Sequence, residues 1–553
     1  MNNTSVVSYR WLYLFILLAV IVNFSGLFVT IIGPDGTLYA TIAKTMVLKH
    51  DYINLYAGGS DWLDKPHFPF WVTALSFNIF GITTWAYKLP GILFMMLGAL
   101  YTYLFARRLY NKEVALWSVL ILLTAEHIVL SNSDVRAEPY LTGLIIASVY
   151  HFYRAYKPSN YWHLLLGCVF AACSIMTKGM FAIIPIGGAI AGHIIITKDW
   201  KQLFTWKWLI AIVLTMVLTL PELYCLYQQF DLHPEKVVFG HTGVSGLRWF
   251  FWDSQFGRFM NTGPIKGSGD PFFFVHTTLW AFLPWSLLLF AAIFQFIRKG
   301  IKNVQANEWY CICGSLLTLL VFSASRFQLP YYLNIVYPFF AIITAQYLYQ
   351  LTAERSIRIV RLVQLILMSV MLIIVAALHY FFRPDAFNGL TGTILAILLL
   401  ALLFLPQKIA PKVFWRIGFS TLLASFIVNI YLNLAFYPSL LHYQALTEAA
   451  FWINKNNTEK LPVVQSGDVP FAMEFYLNQP QINITPEGDG PLPAKPFLLF
   501  AQTDIIKHLQ AKGWHIQPVK TFERYWISRL KPRFLNKSTR SKELTYSELV
   551  IVR

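Results

Sequence analysis

The sequence predicts a polytopic α-helical membrane protein with about thirteen spanning helices and a small C-terminal α/β domain. Three observations predict it. The 553 residues are 56% hydrophobic and 17% aromatic but only 13% charged, roughly half the charged fraction of an ordinary soluble domain. Apolar runs of near-membrane length recur along the chain, and most lack the polar face that a soluble helix keeps. The basic residues gather in short connections between those runs, which is how membrane helices are oriented.

The first run, Trp11 to Ile32, is longer than the roughly 7–15 residues of a cleavable signal core, and no small-x-small site follows it, so it is expected to be a retained span. Further spans are expected near 87–106, 114–131, 138–153, 161–177, 179–197, 207–227, 272–297, 309–324, 330–350, 360–381, 389–405 and 416–437. Numbering the connections alternately assigns one side Arg10; Arg107, Arg108 and Lys112; Arg154 and Lys157; Lys198, Lys201 and Lys207; Arg298, Lys299 and Lys302; Arg355, Arg358 and Arg361; and Lys408, Lys412 and Arg416. The short connections of the other side hold one basic residue each: Arg136, Lys178, Arg326 and Arg383. The first side is therefore expected to be cytoplasmic, with the N-terminus inside and the C-terminal domain outside. The same distribution accounts for the net charge of +17 without a nucleic-acid partner.

Residues 1–441 form the expected membrane domain. Its two long outer segments, 33–86 and 228–271, are candidates for function because long structured loops in compact proteins usually are. Within the first, Thr37 to Lys49 reads as a helix, with Leu38, Ile42 and Met46 at fourfold spacing. Phe68 to Ile82 is apolar and aromatic, but counting it as a span would invert every later connection, so it reads as a helix in the membrane interface. The five cysteines, Cys168, Cys173, Cys225, Cys311 and Cys313, all fall in apolar runs. They read as buried thiols and exclude a disulfide framework or a zinc ribbon. From 442 to 553 polar residues return, and strand-like runs (462–464, 497–500, 549–552) alternate with helix-like ones (444–454, 503–512), a small outer α/β domain. No internal repeat or low-complexity tract stands out.

Charges at a membrane edge are costly and mark function, and the outer face collects several. Asp35 lies in Gly33-Pro34-Asp35-Gly36, and Asp64 and Lys65 lie in Asp61-Trp62-Leu63-Asp64-Lys65-Pro66. Asp134, Arg136 and Glu138 share one turn, Lys178 lies in Met176-Thr177-Lys178-Gly179, Arg258 precedes Phe259, and Arg326 precedes Leu329-Pro330-Tyr331-Tyr332. Each has an ordinary reading: Asp35 as a helix cap, Asp64 and Lys65 as an exposed ion pair, Lys178 as a snorkelling side chain. Acids and bases converging beside span ends on one face argue for more. Cations there can bind a lipid phosphate and stabilise it as it leaves, and a nearby carboxylate can accept a proton from an attacking hydroxyl.

At these residues the sequence resembles the GT-C membrane glycosyltransferases of the protein O-mannosyltransferase type, most closely the bacterial branch containing the lipid A aminoarabinose transferase. The resemblance is carried, in order over roughly residues 10–345, by Asp35, the tyrosine-bearing stretch Tyr39 to Lys44, Asp64-Lys65-Pro66, Ala106-Arg107-Arg108-Leu109-Tyr110 and Met176-Thr177-Lys178-Gly179. It continues with Phe250-Phe251-Trp252, Arg258-Phe259, Leu283-Pro284-Trp285 and Leu329-Pro330 with its tyrosines. It implies inverting transfer of a sugar from a polyprenyl-phosphate donor to a lipid A, glycan or protein acceptor, on the outer face of the inner membrane. It also implies a catalytic Asp35 and donor-phosphate contacts from Lys65, Lys178, Arg258 and Arg326, with Asp64, Asp134, Arg136, Glu138 and Tyr39 in support. Three positions depart from the family pattern. Gly36 stands where a second acid is usual, Asp64 where Glu is usual, and Gln255 where aminoarabinose transferases carry a His proposed to bind metal. Glutamine is a poor zinc ligand, so no zinc site is expected; a divalent metal is left open, with His241 or His276 as a substitute ligand. The competing readings are a transporter or flippase of lipid-linked sugars, which should show repeat symmetry and mid-membrane charges, and a scaffold, whose first outer loop should tolerate mutation.

Overall fold

The protein is described from a computed structural model that covers residues 8–156, 160–262, 266–300, 304–410 and 413–553, without the side chains of 299, 413 and 414. Of the basic residues used above to orient the chain, Lys157, Lys302 and Lys412 lie outside the described residues.

The first helix, α1 (Tyr9–Phe24), stops eight residues short of the end of its apolar run. Beyond it the chain unwinds, and Lys88, fully buried, donates to the carbonyls of Gly26 (3.1 Å) and Val29 (2.6 Å). Irregular backbone at membrane depth is tolerated where protein groups satisfy it. The unwound stretch leads into α2 (Pro34–Lys49), with Pro34 at its first position and Asp35 in its first turn, both favourable at a helix N-terminus. A short hairpin, β1 (Tyr56–Ala57) and β2 (Ser60–Asp61), precedes the Asp64-Lys65-Pro66 turn. Then α3 (Phe68–Phe80), the expected interfacial helix, ends at Gly81, whose φ is +82°.

Helices α4 (Thr84–Leu109), α5 (Lys112–Thr124), α6 (Glu126–Ser133), α7 (Ala137–Tyr156), α8 (Tyr161–Lys178) and α9 (Ile183–Ile196) build the centre. Thr83, Asn111 and Asn160 cap α4, α5 and α8 by accepting from backbone N–H groups, the usual role of such side chains. The expected span 114–131 is a bent pair, α5 and α6, meeting at 55° around Ala125. Neighbours take up the backbone groups and side chain at the break: Glu126 N–H donates to the Leu283 carbonyl (2.9 Å), Ser425 Oγ to the Thr124 carbonyl (3.0 Å) and Trp285 Nε1 to Thr124 Oγ1 (2.9 Å).

Two other expectations are corrected. The run 272–297, expected as one continuous helix, is two helices, Phe273–Ala281 and Ser286–Lys299, with a break between them. The outer segment 228–271 is not all loop, because the preceding helix runs on to Asp231 and residues Trp249–Gly257 wind into a π-helical stretch. Among the described residues six helices are long and apolar enough to cross a membrane, or seven with the bent pair. Five further apolar helices are shorter. Helices Glu354–Phe382 and Gly389–Ile409 bury little of their surface and face outward along most of their length. The cysteines are all free and buried or half-buried.

The C-terminal residues form a five-stranded sheet of order β4-β3-β5-β7-β6, with β3 (Val463–Ser466), β4 (Gln481–Ile484), β5 (Phe497–Gln502), β6 (Ile516–Arg524) and β7 (Thr545–Val552). The first three are mutually parallel and the last two antiparallel. Central strands β3, β5 and β7 carry the apolar runs that the sequence exposed. The edge strands β4 and β6 lack them, because an edge strand packs one face and is kept polar against aggregation. The sheet's short helix Phe471–Tyr476 rests on α2, where Lys44 donates to the carbonyls of Glu474, Phe475 and Leu477 at 2.7–2.9 Å.

Candidate active site

A cavity of about 980 Å³, continuous with solvent, opens between the first outer segment, the turn after α8, the π-helical stretch and Tyr332. Its wall includes Asp64, Lys65, Lys178, Glu222, Ser254, Gln255, Arg258 and Tyr332 among apolar residues such as Leu141, Ile145, Trp249, Phe250 and Phe322. Polar heads over a greasy wall suit an amphipathic ligand.

The charges are arranged in linked pairs. Asp64 sits between two cations, Lys65 (2.5 Å) and Arg258. Lys178 pairs with the buried Glu138 at the head of α7, and its ammonium lies 4.1 Å from the Tyr332 ring centre. Arg258 Nε is buried and has no protein acceptor. A donor left unsatisfied in a cavity wall is costly, and a phosphate oxygen would satisfy it. Burial pulls the Lys65 ammonium down to about 8, against the opposing pull of the Asp35 and Glu138 carboxylates.

Asp35 does not line this cavity. It stands beside it, with its side chain 53% exposed, paired to Arg136 at 2.5 Å. Arg136 in turn grips Asp134 (2.8 Å), which accepts from Tyr331 Oη (3.0 Å) and the Gly33 N–H (3.2 Å). Burial would lower Arg136, but Asp134, Tyr331, Asp35 and Glu138 around it hold it well above its usual value. Tyr39, buried on α2, is raised by burial first and by Glu138 and Asp35 next. Two clusters therefore lie side by side: a cationic cavity, and a carboxylate chain at its edge that reaches Lys65 electrostatically. Arg326 joins neither. Its side chain is exposed, while its neighbours Ser325 and Phe327 line the cavity.

Local backbone explains the placement. Gly179 ends α8 with φ +92°, and a Cβ there would run into Gln255, so Met176-Thr177-Lys178-Gly179 delivers Lys178 at a turn that only glycine fits. Gln255 Oε1 accepts from the Phe181 N–H (3.3 Å), and its Nε2 donates to Ser254 Oγ (2.8 Å) and the Lys178 carbonyl (3.4 Å). This donor set does not fit the metal that the resemblance allows. Asp64 is taken by two cations and the Gln255 amide by backbone and serine. His276 pairs with Asp270 at an exposed position, and neither it nor His241 lines the cavity.

Glu222, Tyr332, Ser254 and Trp249 were not singled out from the sequence. Glu222 carried a legible signal, an acid inside the apolar run 207–227. Tyr332 lies in the motif Leu329-Pro330-Tyr331-Tyr332.

Comparison with known proteins finds similar sequences and a similar fold among membrane glycosyltransferases. The family model of dolichyl-phosphate-mannose-protein mannosyltransferases matches residues 64–225. An undecaprenyl phosphate-α-4-amino-4-deoxy-L-arabinose arabinosyl transferase of Edwardsiella ictaluri is 28% identical over 344 residues, 60% of this chain and 58% of that protein. The enzyme of the same name from Pseudomonas aeruginosa is 26% identical over 54% of this chain and 52% of its own. The match thus spans little more than half the length of these relatives. The crystal structure of ArnT from Cupriavidus metallidurans bound to undecaprenyl phosphate superposes with a TM-score of 0.73 over 98% of both chains at 18% identity, which establishes the fold. The chain thus has the fold of ArnT, and over little more than half of its length its sequence is similar to the aminoarabinose transferases.

Proposed function

We propose that this protein is an integral membrane glycosyltransferase that moves a sugar, with inversion, from a polyprenyl-phosphate donor to a lipid A, glycan or protein acceptor at the outer face of the inner membrane. One observation carries the reading: Lys65, Lys178 and Arg258 converge on one apolar-walled cavity, with the Asp35 carboxylate at its edge. The donor phosphate sits among the three cations, its prenyl chain running along the apolar wall. An acceptor oxygen attacks the anomeric carbon from the Asp35 side as the bond from that carbon to the phosphate oxygen breaks. Asp35 orients the acceptor and takes its proton, and the cations hold the charge that develops on the leaving phosphate. Asp64 and Glu138 hold the cations in place, and Asp134 with Arg136 holds Asp35. Arg326, exposed beside the cavity, has no part in this arrangement.

In the bilayer the same proposal has about thirteen passes over residues 1–441, several through short or broken helices. The N-terminus is then cytoplasmic, and the segments 33–86 and 228–271 and the domain 442–553 are outside. The test is transfer of label from a polyprenyl-phosphate sugar in proteoliposomes. Asp35→Asn is expected to slow transfer by about 10²- to 10⁴-fold while leaving binding of undecaprenyl phosphate near wild type. Full transfer by Asp35→Asn, or movement of the donor across the membrane with no glycosylated product, would reject the assignment.

A further inference from the structure

The turn that presents Asp64 and Lys65 is held from behind by a buried pair. Glu222 and His67 have no exposed side-chain surface, yet Glu222 borders the cavity. One Glu222 oxygen accepts from the His67 backbone N–H (2.9 Å), and the other meets His67 Nδ1 (3.0 Å). On the far side of the ring, His67 Nε2 lies 2.8 Å from the Ile53 carbonyl. A carbonyl only accepts, so Nε2 carries a hydrogen. The contact between Nδ1 and Glu222 then needs one more proton, on either atom, and the pair as a whole is neutral. The other end of the same segment is fixed by Gln229, also fully buried, which bonds both the N–H (2.9 Å) and the carbonyl (2.8 Å) of Leu55 and reaches Asp61 (2.9 Å). Thus one stretch of chain, Glu222 to Gln229, grips the segment before and after the Asp64-Lys65-Pro66 turn.

We propose that Glu222 and His67 are positioning residues: their one-proton contact clamps the segment behind Pro66 so that Lys65 points its ammonium at the donor phosphate. This rests on the reading of Lys65 as a phosphate ligand. Glu222 does its work by reach, not charge. Glutamine at 222 offers a carbonyl to the His67 N–H and an N–H to a neutral Nδ1, preserving every contact. Aspartate keeps the charge but is too short to hold both.

The test measures undecaprenyl phosphate binding by the full chain in nanodiscs. Lys65→Ala is expected to weaken binding by about 10- to 100-fold, as loss of a charged hydrogen bond does. Glu222→Gln should stay within about twofold of wild type. Glu222→Asp should weaken binding about tenfold, and should add nothing in the Lys65→Ala background, since residues acting through one contact are not additive. The clamp is overturned if the order of Gln and Asp is reversed, if Asp binds like wild type, or if Asp and Lys65→Ala effects multiply. Wild-type binding by Lys65→Ala would instead overturn the phosphate-ligand reading, and the clamp with it.

Discussion

Lys65 is the residue whose environment makes the clearest demand. Its ammonium is removed from water beside Asp64, and burial brings it down to about 8. A bound phosphate, dianionic above about pH 7, favours the charged ammonium, so the cation is available below that value and is lost above it. Affinity for undecaprenyl phosphate is therefore expected to hold up to about pH 8 and then to fall by up to about tenfold per unit. Lys65→Arg, whose guanidinium stays charged throughout, should abolish the fall. Titration of binding between pH 6.5 and 9.5 checks both. The carboxylates around it divide their work: Asp64 has both oxygens on cations and Glu138 is buried against Lys178, whereas Asp35 keeps about half its surface open beside Arg136. Only a carboxylate with a free side can meet an incoming acceptor.

At the scale of elements, α2 is the lever of the site. Asp35 is at its N-terminus, and Lys44 near its other end holds three carbonyls of the helix Phe471–Tyr476. Tyr476 also accepts from the Ile31 N–H (2.9 Å), just before α2 begins. The C-terminal sheet thereby braces the helix that carries the proposed catalytic carboxylate. Lys44→Met would leave carbonyls at that contact without a donor, at a cost of about 1–3 kcal/mol. Lower thermal stability and faster proteolysis between residues 442 and 553 are expected, measured on purified protein by differential scanning fluorimetry and limited trypsin digestion. The bend between α5 and α6 has a similar logic. It directs α6 so that Asp134 follows its last turn, and its cost is offset because Leu283, Trp285 and Ser425 bond at the break.

For the whole molecule, the proposed thirteen passes would put an odd number between the two termini. A reporter at residue 1 should be protected, and one after residue 553 accessible, when sealed cells are treated with a membrane-impermeant thiol reagent. Finding both on one side would require an even count and would move Phe68–Phe80 from the interface into the bilayer. The native cysteines, buried or half-buried, give little background. Helices Glu354–Phe382 and Gly389–Ile409 show large apolar side chains such as Ile373, Leu390 and Leu403 to the outside, a surface stable only in lipid.

The apolar helical architecture, the change of character near 442 and most of the charged residues around the cavity were legible in the linear chain. Composition and periodicity report solvent directly, and an isolated charge beside an apolar run is visible without coordinates. The central strands β3, β5 and β7 were legible for the same reason, and the polar edges β4 and β6 were not. Where helices break became visible only in three dimensions, because those breaks are stabilised by partners far along the chain, as Lys88 serves Gly26 and Val29. Only the fold could separate Lys65, Lys178 and Arg258 in the cavity from Arg326 outside it, or bring Glu222 against His67 from 155 residues away. Linear spacing carries no information about which buried charges meet; packing decides that, since a charge out of water must find its partner wherever the fold supplies one.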